Sequence, residues 1–419
     1  MENKNQEDKM KTPKSFFLMM SAVFFSVAAG ESAFREQPEQ YWDFAKLKDP
    51  PAFRDAPFAD SKAEGLRAVL VTGYGPGKGE KNFSTVHPKP LSTKVKAEFF
   101  AYIGFPSGPV PKGGFPGIVL IHGGGGTAYP QYTRFWVNHG YAVIAMDWYN
   151  QRPVPSAKPT ETNVKRIPLP GGKRQDHVSN VANMVLAHSL LRSLKNVNPE
   201  KTAFVGLSWG SWYGAMVAAL DPRFKGGVEI YCGDVKFKLP SKGRALSFIN
   251  GRFHHAAKIP LYWIVGTNDQ NAFTDTLNLA FEECPTLENK SMVIRLPHSH
   301  VGFYFDSCLR MAAHFTQGKP GLPKLGGIVR KGNTVSAEIL DPGMGIRRAI
   351  LCYTDSTEKV YHKRLWKSIP ARLENNTVSA EIPPGAHQFF LSVYDGDGRF
   401  NDLCGSTSTI ILPFPGQEK

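Results

Sequence analysis

Cysteine is scarce in this chain and badly spaced for chemistry. Cys232, Cys284, Cys308, Cys352 and Cys404 include no close pair and no C-x-x-C, which argues against a zinc site or a dithiol redox motif. An odd number leaves at least one thiol outside any intramolecular bridge. Long apolar runs are also missing. The run over residues 16–29 is about 14 residues, short of the roughly 20 needed to cross a bilayer, so no membrane span is expected. There is no internal repeat and no low-complexity tract. Acidic charge is in deficit: 36 Asp and Glu stand against 50 Lys and Arg, a formal charge of +14. With no nucleic-acid-binding motif in view, that excess reads as a solvated surface or as steering of an acidic polymer, and nucleic acid is not an expected partner.

What is present begins with a targeting pattern. Lys9, Lys11 and Lys14 precede the apolar run, and Ala28-Ala29-Gly30 follows it. A basic stretch, a short apolar core and small residues describe a secretory signal over residues 1–30, tidier if Met10 is the start, and imply a secreted or periplasmic protein. The 419 residues suggest two domains after it. Residues 31–60 read as an irregular arm. Strands are expected at 66–72 and 94–103. From residue 117 short apolar runs at 118–121, 141–146, 203–206, 228–231, 261–265 and 292–296 alternate with helices at 132–139, 175–194, 209–220, 273–283 and 306–315. Strands apolar throughout and separated by helices predict a parallel sheet covered on both faces, an α/β fold. Near residues 317–324 a Gly- and Pro-rich linker intervenes. Beyond it, strand-like runs at 334–339, 349–353, 377–382, 389–394 and 407–412 predict a small immunoglobulin-like β-sandwich. The expected division is therefore 31–321 for catalysis and 322–419 for the sandwich. Cys352 and Cys404 lie near two of its strands, as a disulfide or as two buried thiols.

The chemistry is concentrated in four places. Gly206-Leu207-Ser208-Trp209-Gly210 is a G-x-S-x-G motif between a strand and a helix, the setting in which a tight turn lifts a serine hydroxyl above the sheet edge. His122-Gly123-Gly124-Gly125-Gly126 closes an earlier strand. Glycines leave backbone N–H groups free to face a ligand, and the N–H groups of Gly124 or Gly125 and of Trp209 are the expected oxyanion donors. His122 itself is expected to brace that loop. The acid should follow a later strand, which points to Asp269, with Asp234 as the alternative. The base should come last. His300, further out on its loop and just ahead of Gly302-Phe303, is preferred, with His298 as the alternative base and otherwise a supporting residue. His254 and His255 are read as surface or lid residues, since no carboxylate or cysteine stands at metal-ligand spacing. Neither a cofactor nor a metal is expected. No site candidate lies beyond His300, so a chain ending near Pro320 is expected to keep its chemistry if it stays soluble.

With these motifs in the order Ser, Asp, His, the sequence resembles the bacterial dienelactone-hydrolase and acetylxylan-esterase-like branch of the α/β-hydrolases, related to prolyl oligopeptidases. The likeness is carried by residues 122–127, Gly140-Tyr141-Ala142, residues 206–210, Gly266-Thr267-Asn268-Asp269 and Pro297-His298-Ser299-His300, and it spans about residues 100–321. The last module resembles the small β-domain of some of these proteins through residues 349–354 and Arg364-Leu365-Trp366. The resemblance implies an α/β-hydrolase fold and hydrolysis of a small-molecule or polysaccharide ester, with deacetylation of plant or algal polysaccharide foremost; the excess basic charge adds the expectation that the ester is an acidic one. It departs in one respect: dienelactone hydrolases use a cysteine nucleophile where this chain has Ser208. Two insertions, 149–175 and 233–258, should overhang the site. Both are basic, with Arg152, Lys165, Arg166, Lys173 and Arg174 in the first and Lys236, Lys238, Lys242, Arg244 and Arg252 in the second. A serine peptidase would use the same triad, but the propeller repeats that gate peptides are missing. A binding protein on a dead hydrolase scaffold would be expected to have lost a triad member.

Overall fold

The computed structural model describes residues 35–75, 88–94, 96–155, 164–170, 176–231, 252–271, 274–296 and 298–413. The signal region, Cys232, Asp234 and much of both basic insertions lie outside them. From Gln37 onward the described residues form one compact unit.

Three strands open the chain: β1 (Phe53–Asp55), β2 (Leu66–Tyr74) and β3 (Lys96–Gly104). They are followed by β4 (Phe115–Ile121), α1 (Pro130–Asn138) and β5 (Ala142–Met146), then by a hairpin, β6 (Gln151–Val154) and β7 (Lys165–Pro168). The alternation resumes with α2 (His177–Ser193), β8 (Val197–Leu207), α3 (Trp209–Leu220), β9 (Gly227–Ile230), β10 (Leu261–Gly266), α4 (Thr274–Glu283), β11 (Leu287–Val293) and α5 (Asp306–Gln317). Nine strands make one sheet in the order β1-β2-β3-β5-β4-β8-β9-β10-β11. It is antiparallel through β3 and its pairing with β5, and parallel from β5 to β11. The central strands are buried throughout, as the unbroken apolar runs require. The chain steps from β4 to β5 on one side and then to β8 on the other. The C-terminal ends of β4 and β8 therefore face a crevice at a topological switch point, where open α/β sheets bind ligands.

The arm is more ordered than its composition suggests. β1 pairs with β2, and Trp42 is buried with its indole N–H donating to Val178 O at 2.7 Å. Ser189 Oγ donates to Leu47 O at 2.7 Å. The arm thus covers the outer side of α2, which is why that helix is buried from His177 to Leu191 rather than along one apolar stripe. Its polar residues are paired inside: Asn183 with both backbone groups of Tyr74, and His188 with Asp221 and Thr202 at 2.8 Å each.

The C-terminal part is all β: β12 (Lys324–Leu325), β13 (Val329–Lys331), β14 (Thr334–Asp341), β15 (Arg348–Thr354), β16 (Lys367–Pro370), β17 (Arg372–Glu374), β18 (Thr377–Glu381), β19 (Gln388–Tyr394), β20 (Cys404–Ser406) and β21 (Ile410–Ile411). One antiparallel sheet runs β12-β14-β18-β17 and the other β16-β15-β19-β20, a small β domain as expected. Its last strand does not follow the expected run over 407–412. It breaks into β20 and β21, which pair with β19 separately. Cys352 and Cys404 are unbridged buried thiols. Register explains it: Cys352 pairs with Phe390 and Cys404 with Tyr394, on opposite sides of β19. Two strand spacings, roughly 9.5 Å, exceed the Cα separation of about 7 Å that a disulfide can span. None of the described helices is long and apolar enough to cross a membrane.

Candidate active site

Ser208 owes its position to the turn between β8 and α3. It takes φ +55° and ψ −115°, a conformation that costs a non-glycine residue of order 1–3 kcal/mol. Hydrogen bonds hold it there. Ser208 N–H donates to Ile230 O at 2.8 Å, and Ser211 Oγ lies 2.9 Å from Gly206 O and 2.6 Å from Ile230 O. The flanking glycines are steric necessities. A Cβ on Gly206 would stand 2.4 Å from Gly210 O, and one on Gly210 would stand 2.1 Å from Ile121 O. The motif is therefore written by how closely β8, α3 and β4 approach.

The carboxylate comes from the turn after β10. Asp269 is almost wholly buried, and its Oδ1 accepts the N–H of Asn271 at 2.7 Å. His298, beyond β11, spans the remaining gap. Its Nδ1–H donates to Asp269 Oδ2 at 2.7 Å, and its Nε2 accepts the Ser208 hydroxyl at 2.9 Å. A carboxylate can only accept, which puts a ring proton on Nδ1. Tyr231 lies beneath the imidazole with ring centroids 4.4 Å apart. It follows β9 at φ +62°, and only its place after a core strand could have signalled it.

The structure places His298, the alternative of the two histidines, against Ser208 and Asp269, and His300 elsewhere. Ser299 caps a short 3-10 turn, His300–Tyr304, accepting the N–H of Val301. That turn drives Phe303 into the core and carries His300 inward with it. His300 packs against Tyr129 with centroids 5.0 Å apart, under the glycine loop. A Cβ on Gly126 would stand 2.7 Å from its Nε2 and one on Gly123 3.2 Å. Burial, then the charges of His298 and Arg166, push His300 down to about 4. It packs under the glycine loop and not against Ser208.

His122 braces the same loop from its start. Its Nδ1–H donates to Gly123 O at 2.8 Å, its Nε2 accepts Trp148 N–H at 3.3 Å, and its own carbonyl accepts the Trp148 indole at 2.8 Å. Burial holds it well down, at about 3. Gly124 and Gly125 remain exposed at the crest, Gly125 at φ +71°. Trp209 heads α3, so its N–H stands at the positive end of the helix. The Trp209 ring stacks with those of Trp148 and His177, and Gly124 abuts it. His254 corrects another expectation. It is buried against Trp263, 4.9 Å between centroids, because its 3-10 turn packs under α3 rather than over the site.

A further tie was not expected from the sequence. Asn268, beside Asp269, donates from its Nδ2 to the carbonyls of His362 and Arg364 in the β domain, at 2.9 and 2.7 Å.

Comparison with known proteins agrees with this architecture. Residues 118–392 match the model of the Alpha/beta hydrolase family. No curated protein matches the chain. Solved structures similar to it include an acetyl xylan esterase from Paenibacillus sp. R4, at 15% identity over 66% of this chain and 98% of that one, TM-score 0.44. Acetyl xylan esterase 1 from Thermoanaerobacterium sp. JW/SL YS485 is similar at 16% identity over 61% and 87%, TM-score 0.35. Dipeptidyl peptidase 4 of Porphyromonas gingivalis is similar at 17% identity over 53% and 32%, TM-score 0.34. With two thirds of its length under the family model, the chain belongs to the alpha/beta hydrolase family.

Proposed function

We propose that this chain is an exported serine carboxylester hydrolase that deacylates a polysaccharide or related ester through Ser208, His298 and Asp269. The observation that carries the reading is the unbroken relay of 2.9 and 2.7 Å from the strained serine through His298 to the buried carboxylate. Ser208 Oγ attacks the ester carbonyl while His298 Nε2 takes its proton, and Asp269 steadies the imidazolium. The carbonyl oxygen becomes an oxyanion facing the N–H groups of Trp209 and of Gly124 or Gly125. Collapse expels the alcohol with the proton from His298. Water then repeats the sequence on the acyl-serine and releases the acid. Residues 31–321 carry this chemistry and 322–419 support it. Export rests on the basic and apolar pattern before residue 31.

The test is an ester and peptide substrate panel with a fluorophosphonate probe. Ser208→Ala should fold normally and lose roughly four or more orders of magnitude in kcat on an acetyl ester, and the probe adduct should map to Ser208. Peptide turnover in place of ester turnover, or an adduct elsewhere, would overturn the reading.

A further inference from the structure

The β6–β7 hairpin brings a cation to the rim of the site. It is no loose flap. Pro153 is buried and its carbonyl accepts Ser61 Oγ at 2.9 Å, while Leu169 N–H donates to Asn150 O at 3.0 Å at the hairpin base. Pro153 and Arg166 are cross-strand partners, and such partners share one face of a ribbon. Arg166 therefore lies on the face that carries buried Pro153, and Lys165 lies on the other. The Arg166 Nη1 comes within 3.9 Å of where a Cβ on Gly125 would stand. The glycine loop is thus flanked by His300 below and the Arg166 guanidinium outside. The hairpin's other arginine, Arg152, is paired with Asp60 at 2.5 Å and lies over Phe58. Among the described residues Arg166 has no such carboxylate.

We propose that Arg166 recognises an anionic group of the substrate, a carboxylate or sulfate on the sugar beside the scissile ester. This rests on the serine-hydrolase reading above. An ester carbonyl held between Ser208 and the N–H groups of the glycine loop puts the rest of the substrate at the loop's exposed crest, where the guanidinium stands. Its planar fork suits either oxyanion in bidentate contact. The charge also has a local effect: with burial and His298 ahead of it, it adds to the lowering of His300 beneath the loop.

The experiment measures kcat/KM on three matched O-acetyl esters: those of methyl galactoside, methyl galacturonoside and methyl galactoside 6-sulfate. The last two distinguish a carboxylate from a sulfate. For Arg166→Gln the ratio of anionic to neutral kcat/KM should fall about five- to tenfold. Arg166→Glu should lower it further by repulsion. Lys165→Gln should leave it within about twofold, since a solvated charge on the far face is screened. A ratio unchanged in Arg166→Gln, with all esters turned over, overturns the inference and leaves the hydrolase reading standing. The same holds if rates on all three esters fall together, which would make Arg166 a stabiliser of the oxyanion itself. A wild-type protein that turns over none of the esters and takes no probe at Ser208 overturns the reading and the inference with it.

Discussion

The two sheets of the β domain are built to different specifications, and the difference shows what that domain does. In the outer sheet β14 and β18 alternate: Val335, Ala337, Val378 and Ala380 point in and their neighbours face water. In the inner sheet all seven residues of β19 are buried. Phe389, Leu391 and Val393 fill the sandwich, while Phe390 and Tyr394, with Ile350, Cys352, Trp366 and Cys404, join the core of the hydrolase part. A strand buried on both faces belongs to the interior. Polar contacts follow the apolar ones. Asn289 of β11 donates to the carbonyls of Leu322 and Pro323 at 3.1 and 2.9 Å. Met292 N–H donates to Ser406 Oγ at 3.0 Å, and Ser307 N–H to Asp402 Oδ2 at 2.8 Å. The inner sheet acts as a wall against the edge strand that leads to His298.

Removing that wall should have the largest effect. A chain ending near Pro320 carries every site residue, yet it would expose β11 as an open edge together with the apolar face that now meets Phe390 and Trp366. The expectation that such a chain keeps its chemistry held only if it stays soluble, and the packing bears on that condition: the chain should aggregate or lose its cooperative melt, as exposed strand edges and apolar patches do. A soluble shortened chain with full esterase activity would return the domain to the status of an appendage.

Acid should separate the two regions next. Burial above all holds His122 at about 3 and His188, His254 and His300 at about 4, below the ordinary 6.5, and all four lie in the hydrolase part. A histidine depressed in the folded state is protonated more readily when unfolded. Their stabilisation is thus complete above pH 6.5 and is lost as pH falls from there toward about 4. Each can contribute up to about 1.4 kcal/mol per pH unit. The midpoint of thermal unfolding should drop steeply over that window. In His300→Asn, which cannot titrate, the drop should be shallower. A flat profile from pH 7 to 4.5 would count against burial of neutral imidazoles.

A smaller effect sharpens the link between regions. Asn268→Ala leaves two carbonyls of the β domain without their donor, at a cost of about 1–3 kcal/mol, and frees the turn that carries Asp269. Esterase kcat should fall while KM changes little, with Asn268→Asp unable to restore it. Loss of stability with no change in kcat would make the tie merely structural.

Much of this was legible in the sequence, for identifiable reasons. Strands buried on both faces write unbroken apolar runs, so the parallel core and the elbow around Ser208 could be read directly. β6 and β7 could not be. Residues 151–154 and 165–168 are charged and Pro-containing, and the hairpin is held by backbone bonds and its docking. The inner sheet of the β domain hid its role because burial on a second face needs knowledge of what lies opposite. The choice between His298 and His300 turned on two residues of spacing. Ser299 capping the next turn was visible, as was Phe303 behind it. Only packing reveals that the turn drags His300 under the loop and leaves His298 facing Ser208.

That choice is also the most direct test. Parallel assays of His298→Gln and His300→Gln on one acetyl ester, with folding checked by thermal melts, separate base from prop. His298→Gln should lose about four orders of magnitude in kcat, while His300→Gln, which only loosens the glycine loop, should lose about tenfold or less. The reverse ranking would contradict the assignment of His298 as the base and with it the relay on which the proposed function stands.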